Sequence, residues 1–319
     1  MNWTVHTCPI DDNLDMRAEF LVRSRQYEFA VVRCKRCGLR MVNPQPPADI
    51  LNSFYDTEYY GKQAVKFIPL IQYLRRLSIK KKVRDIMSRQ KREFGKALDI
   101  GCADGSFLFN IKQRQWDTAG LEISPTFQKN SHLEELNIII GDLADQHIPD
   151  QTVDVVTLWH VFEHLDDPNR YLREIKRMLA PGGLVVLTVP NSDSWQAKLF
   201  GQDWFHLDVP RHLYHYTPST IAKIIAPHGF QIEGIEHFSL EYNPYGYLQS
   251  FFNRVLRDDN RFYDALKNIR SIRPTTFWRN IICALLTPIL VIPAIIMAWI
   301  EAQMGHGGTI RVYIKNTGS

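Results

Sequence analysis

The amino-acid sequence predicts an α/β fold in which a parallel sheet is covered by helices on both faces. Between residues 97 and 238, short apolar runs alternate with segments of helical length, and this alternation is typical of strand–helix–strand units. Residues 184–189 form an almost unbroken apolar run, as expected of a strand that is buried on both faces. The first run, residues 97–100, ends at Gly101, where the backbone can turn sharply.

Seven strands can be placed from this pattern. The first five are predicted at residues 97–100, 116–123, 137–140, 153–158 and 184–189. A helix at residues 106–115 follows the first strand. A second helix, at residues 169–179, carries apolar residues at helical spacing and ends before Pro181, Gly182 and Gly183. Two further strands, at residues 230–238 and 308–315, complete the sheet, and ligands of such sheets bind at the carboxyl ends of the strands.

The composition and charge of the chain limit the classes of protein to which it can belong. The 319 residues are 45% hydrophobic and 23% charged, with a net charge of +4, which is ordinary for a globular chain and too small to indicate nucleic acid binding. The first 15 residues have no apolar stretch typical of a secretory signal. Five unevenly spaced cysteines indicate a reducing compartment rather than a disulfide framework: Cys8, Cys34, Cys37, Cys102 and Cys283.

Five segments of the chain differ in character, and we expect them to be separate units. Residues 1–60 carry three cysteines, and this segment ends in tyrosines, such as Tyr59 and Tyr60, that either cover a cofactor or pack in the core. Residues 61–96 are basic and are predicted to be helical. The predicted α/β core occupies residues 97–238, an aromatic, basic and then apolar insertion occupies residues 239–301, and residues 302–319 supply the last strand.

Acidic residues lie at the ends of three successive strands. Asp99 belongs to a glycine-rich loop with Gly101 and Gly105, which leads into a helix whose first amide groups are free to bind a ligand. Glu122, at the end of the second strand, can accept hydrogen bonds from both hydroxyls of a ribose. Asp142, after the third strand, can accept one from an adenine amino group. The pattern therefore indicates a nucleoside site at the carboxyl edge of the sheet.

These segments resemble the motifs of class I S-adenosylmethionine-dependent methyltransferases. Residues 99–105 resemble the glycine-rich motif, although Ala103 stands where many members have a third glycine. Residues 153–165 resemble the fourth-strand block, and residues 179–184 resemble the turn before the fifth strand. The resemblance covers about residues 97–190. It implies a Rossmann-like, doubly wound, seven-stranded sheet and S-adenosylmethionine as cofactor.

The resemblance also implies roles for individual residues. The segment after the fourth strand, with Trp159, should lie against the methionine end of the cofactor. A nicotinamide cofactor is disfavoured, because it expects the spacing G-x-G-x-x-G and the glycines here follow G-x-x-x-G. The residues implied to hold the nucleoside are Asp99, Gly101, Gly105, Glu122 and Asp142.

Histidines are concentrated on two segments that flank the expected cofactor mouth. Methyl transfer to some acceptors needs a base that takes a proton. His160 and His212 are predicted to handle the acceptor, although each histidine is alternatively structural. Glu163, which lies between His160 and His164 in the sequence, is predicted to orient a histidine or to cap a helix. Arg211 is predicted either to hold an anionic acceptor or to form a surface salt bridge.

The N-terminal segment carries a possible metal site. Cys34 and Cys37 form a C-x-x-C pair, and Cys8 is the nearest other cysteine. A tetrahedral zinc site needs four ligands. The segment resembles a zinc ribbon found ahead of some bacterial methyltransferases, with Asp11 in the place of the expected fourth cysteine. His6 or Asp11 would complete a retained zinc site; otherwise the segment is a metal-free relic, and no metal ligands are assigned.

Residues 281–300 contain no charge and are long enough to span a bilayer. Pro288 and Pro293 are expected to interrupt the helix. The strands on either side neighbour each other in this family's sheet, so the segment is predicted to enter and leave the membrane on one side or to lie in its interface. A helical hairpin buried in a soluble protein and a single span are the alternatives.

Two basic regions bear on the same question. The helix within residues 61–96 is predicted either to contact anionic lipids or to be an ordinary solvated helix. The arginines and the lysine that precede the apolar run are typical of a cytoplasmic flank: Arg254, Arg257, Arg261, Lys267, Arg270, Arg273 and Arg279.

The leading hypothesis is a bacterial enzyme at the inner face of the cytoplasmic membrane. It would methylate a small molecule, a lipid or a lipid-linked glycan, at oxygen. The pattern resembles methyltransferases of bacterial surface polysaccharide or lipid pathways and, more distantly, quinone O-methyltransferases. One alternative is a catalytically silent S-adenosylmethionine-binding module that recruits partners to membranes. Another is an RNA methyltransferase, but the apolar run argues against nucleic acid as a partner.

Overall fold

A computed structural model describes residues 3–55, 69–124, 135–256 and 277–316 of the chain. Within these ranges the central feature is a seven-stranded sheet. Its parallel strands are β4 (Lys96–Ile100), β5 (Asp117–Glu122), β6 (Asn137–Ile140), β7 (Val153–Trp159) and β8 (Leu179–Pro190). The predicted mixed α/β fold with this sheet is therefore confirmed. β8 begins five residues earlier than expected, because the Pro181–Gly183 turn is included in the strand.

The last two strands extend the sheet beyond β8. β11 (Thr309–Asn316) lies antiparallel to β8 on one side and to β10 (Phe230–Glu236) on the other. The order across the sheet is β6–β5–β4–β7–β8–β11–β10. The chain thus leaves the sheet after β10 and returns to its neighbour, β11, through a helical connection.

Helices cover both faces of this sheet. On one face, α2 (Pro69–Gln90) and α3 (Ser106–Lys112) pack their apolar residues on Val155 and Val186. On the other, α4 (Pro168–Met178) and α6 (Pro218–Ile225) pack on Val156 and Leu187. The short helix α5 (Trp195–Phe200) follows β8. Neighbouring strand residues point to opposite faces, so each strand feeds both layers. The apolar runs in the sequence reflect this double burial.

A second sheet was not foreseen from the sequence. β1 (Met16–Ser24), β2 (Tyr27–Cys34) and β3 (Arg40–Val42) form antiparallel pairs, and β9 (Tyr214–His215) adds to the edge of β3. α1 (Ala48–Ser53) follows β3. Because β9 belongs to the loop after β8, this sheet joins the N-terminal segment to the core. One apolar cluster accordingly includes both Cys8 and Leu187.

The apolar insertion forms α8 (Phe277–Gln303), which packs on α7 (Asn243–Leu256). The expectation that Pro288 and Pro293 break this helix is wrong, since it runs through both. Each proline removes only one helical hydrogen bond, and the remaining bonds keep the helix continuous. The alternative of a buried helical hairpin is also wrong for α8, because only 17% of its most apolar window is buried.

The stripe that α8 exposes is made of large apolar side chains. Its members recur every three or four residues and are each more than half exposed: Leu285, Ile289, Ile292, Ile296 and Trp299. The opposite face packs Cys283, Ala294 and Ala298 in the same apolar cluster as α7. The arginines and the lysine expected to flank this helix at positions 257–273, like Tyr59 and Tyr60, lie outside the described residues.

The tight helix–sheet packing leads to a stability prediction at two strand glycines. A Cβ on Gly120 of β5 would lie 2.6 Å from Cys102 Sγ and Ile138 Cδ1, whereas a Cβ on Gly234 of β10 would lie 3.6 Å from its nearest neighbour, an Arg89 nitrogen. Gly120→Ala should lower the free energy of unfolding by about 1–3 kcal/mol through overpacking. Gly234→Ala should change it by less than about 0.5 kcal/mol. Equal effects in urea unfolding would contradict this packing.

Candidate active site

The glycine-rich loop between β4 and α3 is held close to its neighbours. Gly101 has φ +71°, and a Cβ there would lie 2.4 Å from Val161 Cγ2. Gly105 has φ +66° and caps α3. Left-handed backbone of this kind favours glycine. The loop therefore brings main-chain amides to the carboxyl edge of the sheet, where the sequence places the nucleoside site.

Two of the predicted acids are fixed beneath this loop. The Asp99 carboxylate is buried and accepts a hydrogen bond from Thr157 Oγ1 at 2.5 Å. Burial raises the pKa of Asp99 to about 7. The Glu122 carboxylate accepts from the amides of Ala103 and Ser124, both at 3.0 Å. Each carboxylate oxygen can accept more than one bond, so Glu122 can hold the loop and still receive a ligand hydroxyl.

Asp142 and Trp159 occupy opposite sides of the site. Asp142 accepts from the Ala144 amide at 2.8 Å and from the Tyr171 hydroxyl at 2.6 Å. Trp159, at the end of β7, packs edge-on to Phe107 with ring centroids 5.0 Å apart. The structure thus places the three acids at neighbouring strand ends, and it places Trp159 among the apolar residues beneath α2.

Two cations of α2 face this site, and sequence reasoning does not assign them to it. Arg75 pairs with Asp104 of the glycine-rich loop at 2.7 Å. The Lys82 amine lies over the Trp159 ring, 4.4 Å from its centroid, and the residue is only 8% exposed. Burial lowers the pKa of Lys82 to about 8. Lys82 belongs to the basic segment 61–96, which is predicted to contact lipid or solvent. Its helical spacing from Ile79 and Ile86, both buried, is the signal that places it inside.

Other cations of α2 are likewise bound within the chain. Lys81 pairs with Asp85 and Glu236, and Arg89 pairs with Glu233. Only part of the expected basic surface is therefore free to face a lipid headgroup.

Both predicted catalytic histidines meet at one buried carboxylate, that of Glu163. His160 Nδ1 lies 3.3 Å and His212 Nε2 lies 4.0 Å from Glu163 Oε1. Burial by itself raises the pKa of Glu163, but the hydrogen bond from His160 and the surrounding histidines lower it to about 2. Of the alternatives for Glu163, the structure favours orienting histidines over capping a helix.

Several aromatic rings line the same site. The His160 ring lies 4.3 Å from the Tyr242 ring and parallel to that of His206 at 6.4 Å. His160 has φ +57°, an uncommon conformation for a residue other than glycine. Its Nε2 is buried and has no hydrogen-bond partner within the described ranges. Arg211 forms a salt bridge with Asp208, but the pair is mostly buried, with 21% and 18% of the side chains exposed, and is not the surface salt bridge considered for it.

A separate cluster lies in the N-terminal segment. The donor atoms of Cys8, Asp11, Cys34 and Cys37 all lie within 4.8 Å of one another. Cys8 Sγ is 3.4 Å from Cys37 Sγ, and Cys34 Sγ is 3.5 Å from Asp11 Oδ2. Of the two candidates for the fourth ligand, the structure brings Asp11 into the cluster and leaves His6 outside it.

Comparison with known proteins fits this geometry. A family model described as a methyltransferase domain matches residues 71–234, just over half of the chain. The chain belongs to this methyltransferase family. The family implies S-adenosylmethionine as cofactor, and the matched residues include most of α2 with Arg75 and Lys82, the glycine-rich loop and the Glu163 cluster.

Individual relatives share the core. A ubiquinone biosynthesis O-methyltransferase of Psychrobacter arcticus is 29% identical over 165 residues, which cover 47% of this chain and 63% of that protein. One from Aliivibrio fischeri is 28% identical over the same length, with 47% and 70% covered. A crystal structure of a proposed sarcosine dimethylglycine methyltransferase from Galdieria sulphuraria shares the fold, with a TM-score of 0.51, 14% identity and coverage of 84% and 99%.

The Glu122 carboxylate provides a direct test of the cofactor site. Glu122→Ala should weaken S-adenosylhomocysteine binding, measured by calorimetry, at least about tenfold, since hydrogen bonds to a charged group contribute roughly 1.5–3 kcal/mol and 1.4 kcal/mol corresponds to a factor of ten. Asp117→Ala, at the opposite, exposed end of β5, should leave the affinity unchanged. Equal affinities for the two variants would place the nucleoside elsewhere, and binding of NAD instead would exclude this cofactor.

Proposed function

We propose that this protein transfers a methyl group from S-adenosylmethionine to an oxygen atom of a small-molecule or lipid-like acceptor that reaches it from a membrane surface. The observation that carries the proposal is the pair formed by His160 and the buried carboxylate of Glu163 at the carboxyl edge of the sheet, beside the glycine-rich loop. The ubiquinone O-methyltransferases that share the core support an oxygen acceptor, although the alignment spans only 63% of the first of these relatives.

The residues around the glycine-rich loop fit the cofactor. Asp99, Glu122 and Asp142 would hold the nucleoside, and Gly101 and Gly105 leave room for it. Arg75 and Lys82, which approach from α2, would suit the carboxylate of its methionine end, because Lys82 is a buried cation with no hydrogen bond among the described residues. When bound, the cofactor supplies a methyl group on a sulfonium, so the protein mainly has to position the two reactants.

His160 is suited to take the proton of an acceptor hydroxyl. Its Nδ1 faces the Glu163 carboxylate, which fixes the tautomer with the proton on Nδ1 and leaves Nε2 as the acceptor. The buried Nε2 has no other partner in the described part of the chain. Glu163 would stabilise the imidazolium that forms, and His212, on the other side of the same carboxylate oxygen, would position the acceptor or the carboxylate.

The exposed face of α8 supports a membrane source for the acceptor. α8 packs on α7, and the start of α7 follows Tyr242 and includes Tyr245, both of which pack around the histidine site. β10 and β11 are hydrogen-bonded neighbours, so both ends of the connection lie on the same side of any membrane. The helix would therefore lie in the interface rather than cross the bilayer.

The N-terminal cluster would hold a structural zinc ion. Three thiols and one carboxylate, with ligand atoms within 4.8 Å of one another, form a donor set that zinc accepts. The three cysteines are buried, which suits a structural rather than an exposed site.

The central experiment supplies S-adenosylmethionine with a labelled methyl group and a bacterial membrane lysate. Label should move to the organic phase in the presence of the wild-type protein. His160→Asn keeps a residue that tolerates positive φ but removes Nε2, and it should lower turnover by about 10²–10⁴-fold. His147→Asn, at an exposed loop position, should retain full turnover.

The outcomes separate the possible functions. Label confined to the aqueous phase would keep the methyltransferase and reject a lipid acceptor. Transfer to RNA, or tight cofactor binding without transfer to any component of the lysate, would reject the proposal. Unchanged turnover in His160→Asn would reject the base assignment alone.

Zinc content is a prediction of its own. Metal analysis of purified protein should give about one zinc ion per chain, and less than about 0.2 would exclude a structural site. Cys34→Ser should lose the metal and lower the melting temperature. Cys283→Ser, at a buried cysteine of α8 outside the cluster, should keep it.

A further inference from the structure

We propose that Glu163, His164 and His212 form a second, distinct metal site that binds a divalent transition-metal cation next to the acceptor. One ligand atom from each of these side chains lies within 4.8 Å of the others. Two imidazoles and one carboxylate are a donor set that zinc and manganese both accept. The binding of the cation does not depend on the proposed function; only its role in the reaction does.

Both histidines are held in the orientation that metal ligands usually have. His212 Nδ1 donates to the carbonyl of His206 at 2.8 Å. His164 Nδ1 lies 2.9 Å from the carbonyl of Arg211 and 3.0 Å from the hydroxyl of Tyr55. A carbonyl can only accept, so His212 Nδ1 carries its proton and His212 Nε2 is left with a lone pair. Such backbone contacts fix the tautomer and the ring orientation of histidines that bind metals through the other nitrogen.

Two carboxylates lie near His212 Nε2, so a cation would be stabilised at this position. This nitrogen lies 3.8 Å from Asp208 Oδ2 and 4.0 Å from Glu163 Oε1, and both are acceptors. Arg211 already binds the Asp208 carboxylate through two nitrogens. The nitrogen lone pair of His212 therefore lies close to two carboxylates.

The second oxygen of Glu163 is the independent indication of a ligand. Glu163 is 1% exposed, and its Oε2 has no hydrogen-bond partner among the residues that the structure describes. A buried carboxylate oxygen without a donor is costly. A cation bound by Glu163, His164 and His212, whose ligand atoms lie within 4.8 Å of one another, would compensate this buried carboxylate.

The site would leave coordination positions open, because three protein ligands do not fill the shell of such a cation. An acceptor hydroxyl bound there would become more acidic. Its proton would pass to His160 Nε2, the new bond would form between the acceptor oxygen and the methyl carbon, and the carbon–sulfur bond would break. His160 then completes the transfer without being a ligand itself.

Manganese is the probe of choice, because the thiolate cluster of the N-terminal segment favours softer metals. Electron paramagnetic resonance of Mn²⁺ titrated into the purified full-length protein should show one bound ion per chain with micromolar affinity. Glu163→Gln and His212→Asn should each weaken it about 10–100-fold. The asparagine keeps a donor near the Nδ1 position and lacks Nε2. His147→Asn is the control and should bind as the wild type does.

Two readouts keep the test decisive. In the unsubstituted protein, bound Mn²⁺ should broaden the imidazole resonances of His164 and His212 and leave that of His147 unchanged, which does not depend on how any variant folds. S-adenosylhomocysteine binding, measured in parallel, reports on the cofactor site separately. Absence of Mn²⁺ binding in the micromolar range, or equal binding by all variants, would overturn the metal site.

Discussion

The buried carboxylate of Glu163 is the constraint on which the active site depends. An ionised group in this position must be compensated by partners, since desolvation of an unpaired charge is costly. His160 from the end of β7 and His212 from the loop after β8 both turn toward it. A main-chain hydrogen bond connects the same two loops, since the Glu163 carbonyl accepts from the Leu213 amide at 2.9 Å. Two loops from separate strands are thus joined around one charge.

The same loop also ties the N-terminal segment to the core. Two residues beyond His212, the chain forms β9, whose residues pair with Arg40 and Met41 of β3. Arg40 in addition donates to the carbonyl of Ser192 at 2.7 Å. Any shift of the loop that carries His212 would have to disturb this pairing. The cysteine-bearing segment therefore restricts the position of that loop. The N-terminal segment is thereby linked to the loop that carries His212 through the pairing of β3 with β9.

The strands and the strand-end acids could be predicted because they depend on local pattern. A strand buried on both faces must be apolar, and a loop that approaches a nucleoside must contain glycine at positions such as Gly101. The four-stranded sheet could not be predicted, because β9 has only two residues and its pairs with β3, Met41–Tyr214 and Arg40–His215, join residues 173 and 175 positions apart. The charge of Lys82 predicts a position on the protein surface, whereas its helical spacing from Ile79 and Ile86 predicts the buried face of α2, and the structure agrees with the spacing.

The helical connection between β10 and β11 shows how one topological rule limits function. Because β10 and β11 are neighbouring strands of one sheet, they fix both ends of the connection. The exposed apolar stripe of α8 therefore runs along the side of the helix, between two fixed ends. At its C-terminal end the helix is fixed by the buried Glu301, whose carboxylate accepts from the Gln196 amide at 3.1 Å. Gln196 in turn accepts from Trp204 Nε1 at 3.3 Å, in the segment that leads to His206. The exposed apolar stripe of α8 is therefore connected through Glu301 and Gln196 to the segment that carries His206, whose ring lies parallel to that of His160.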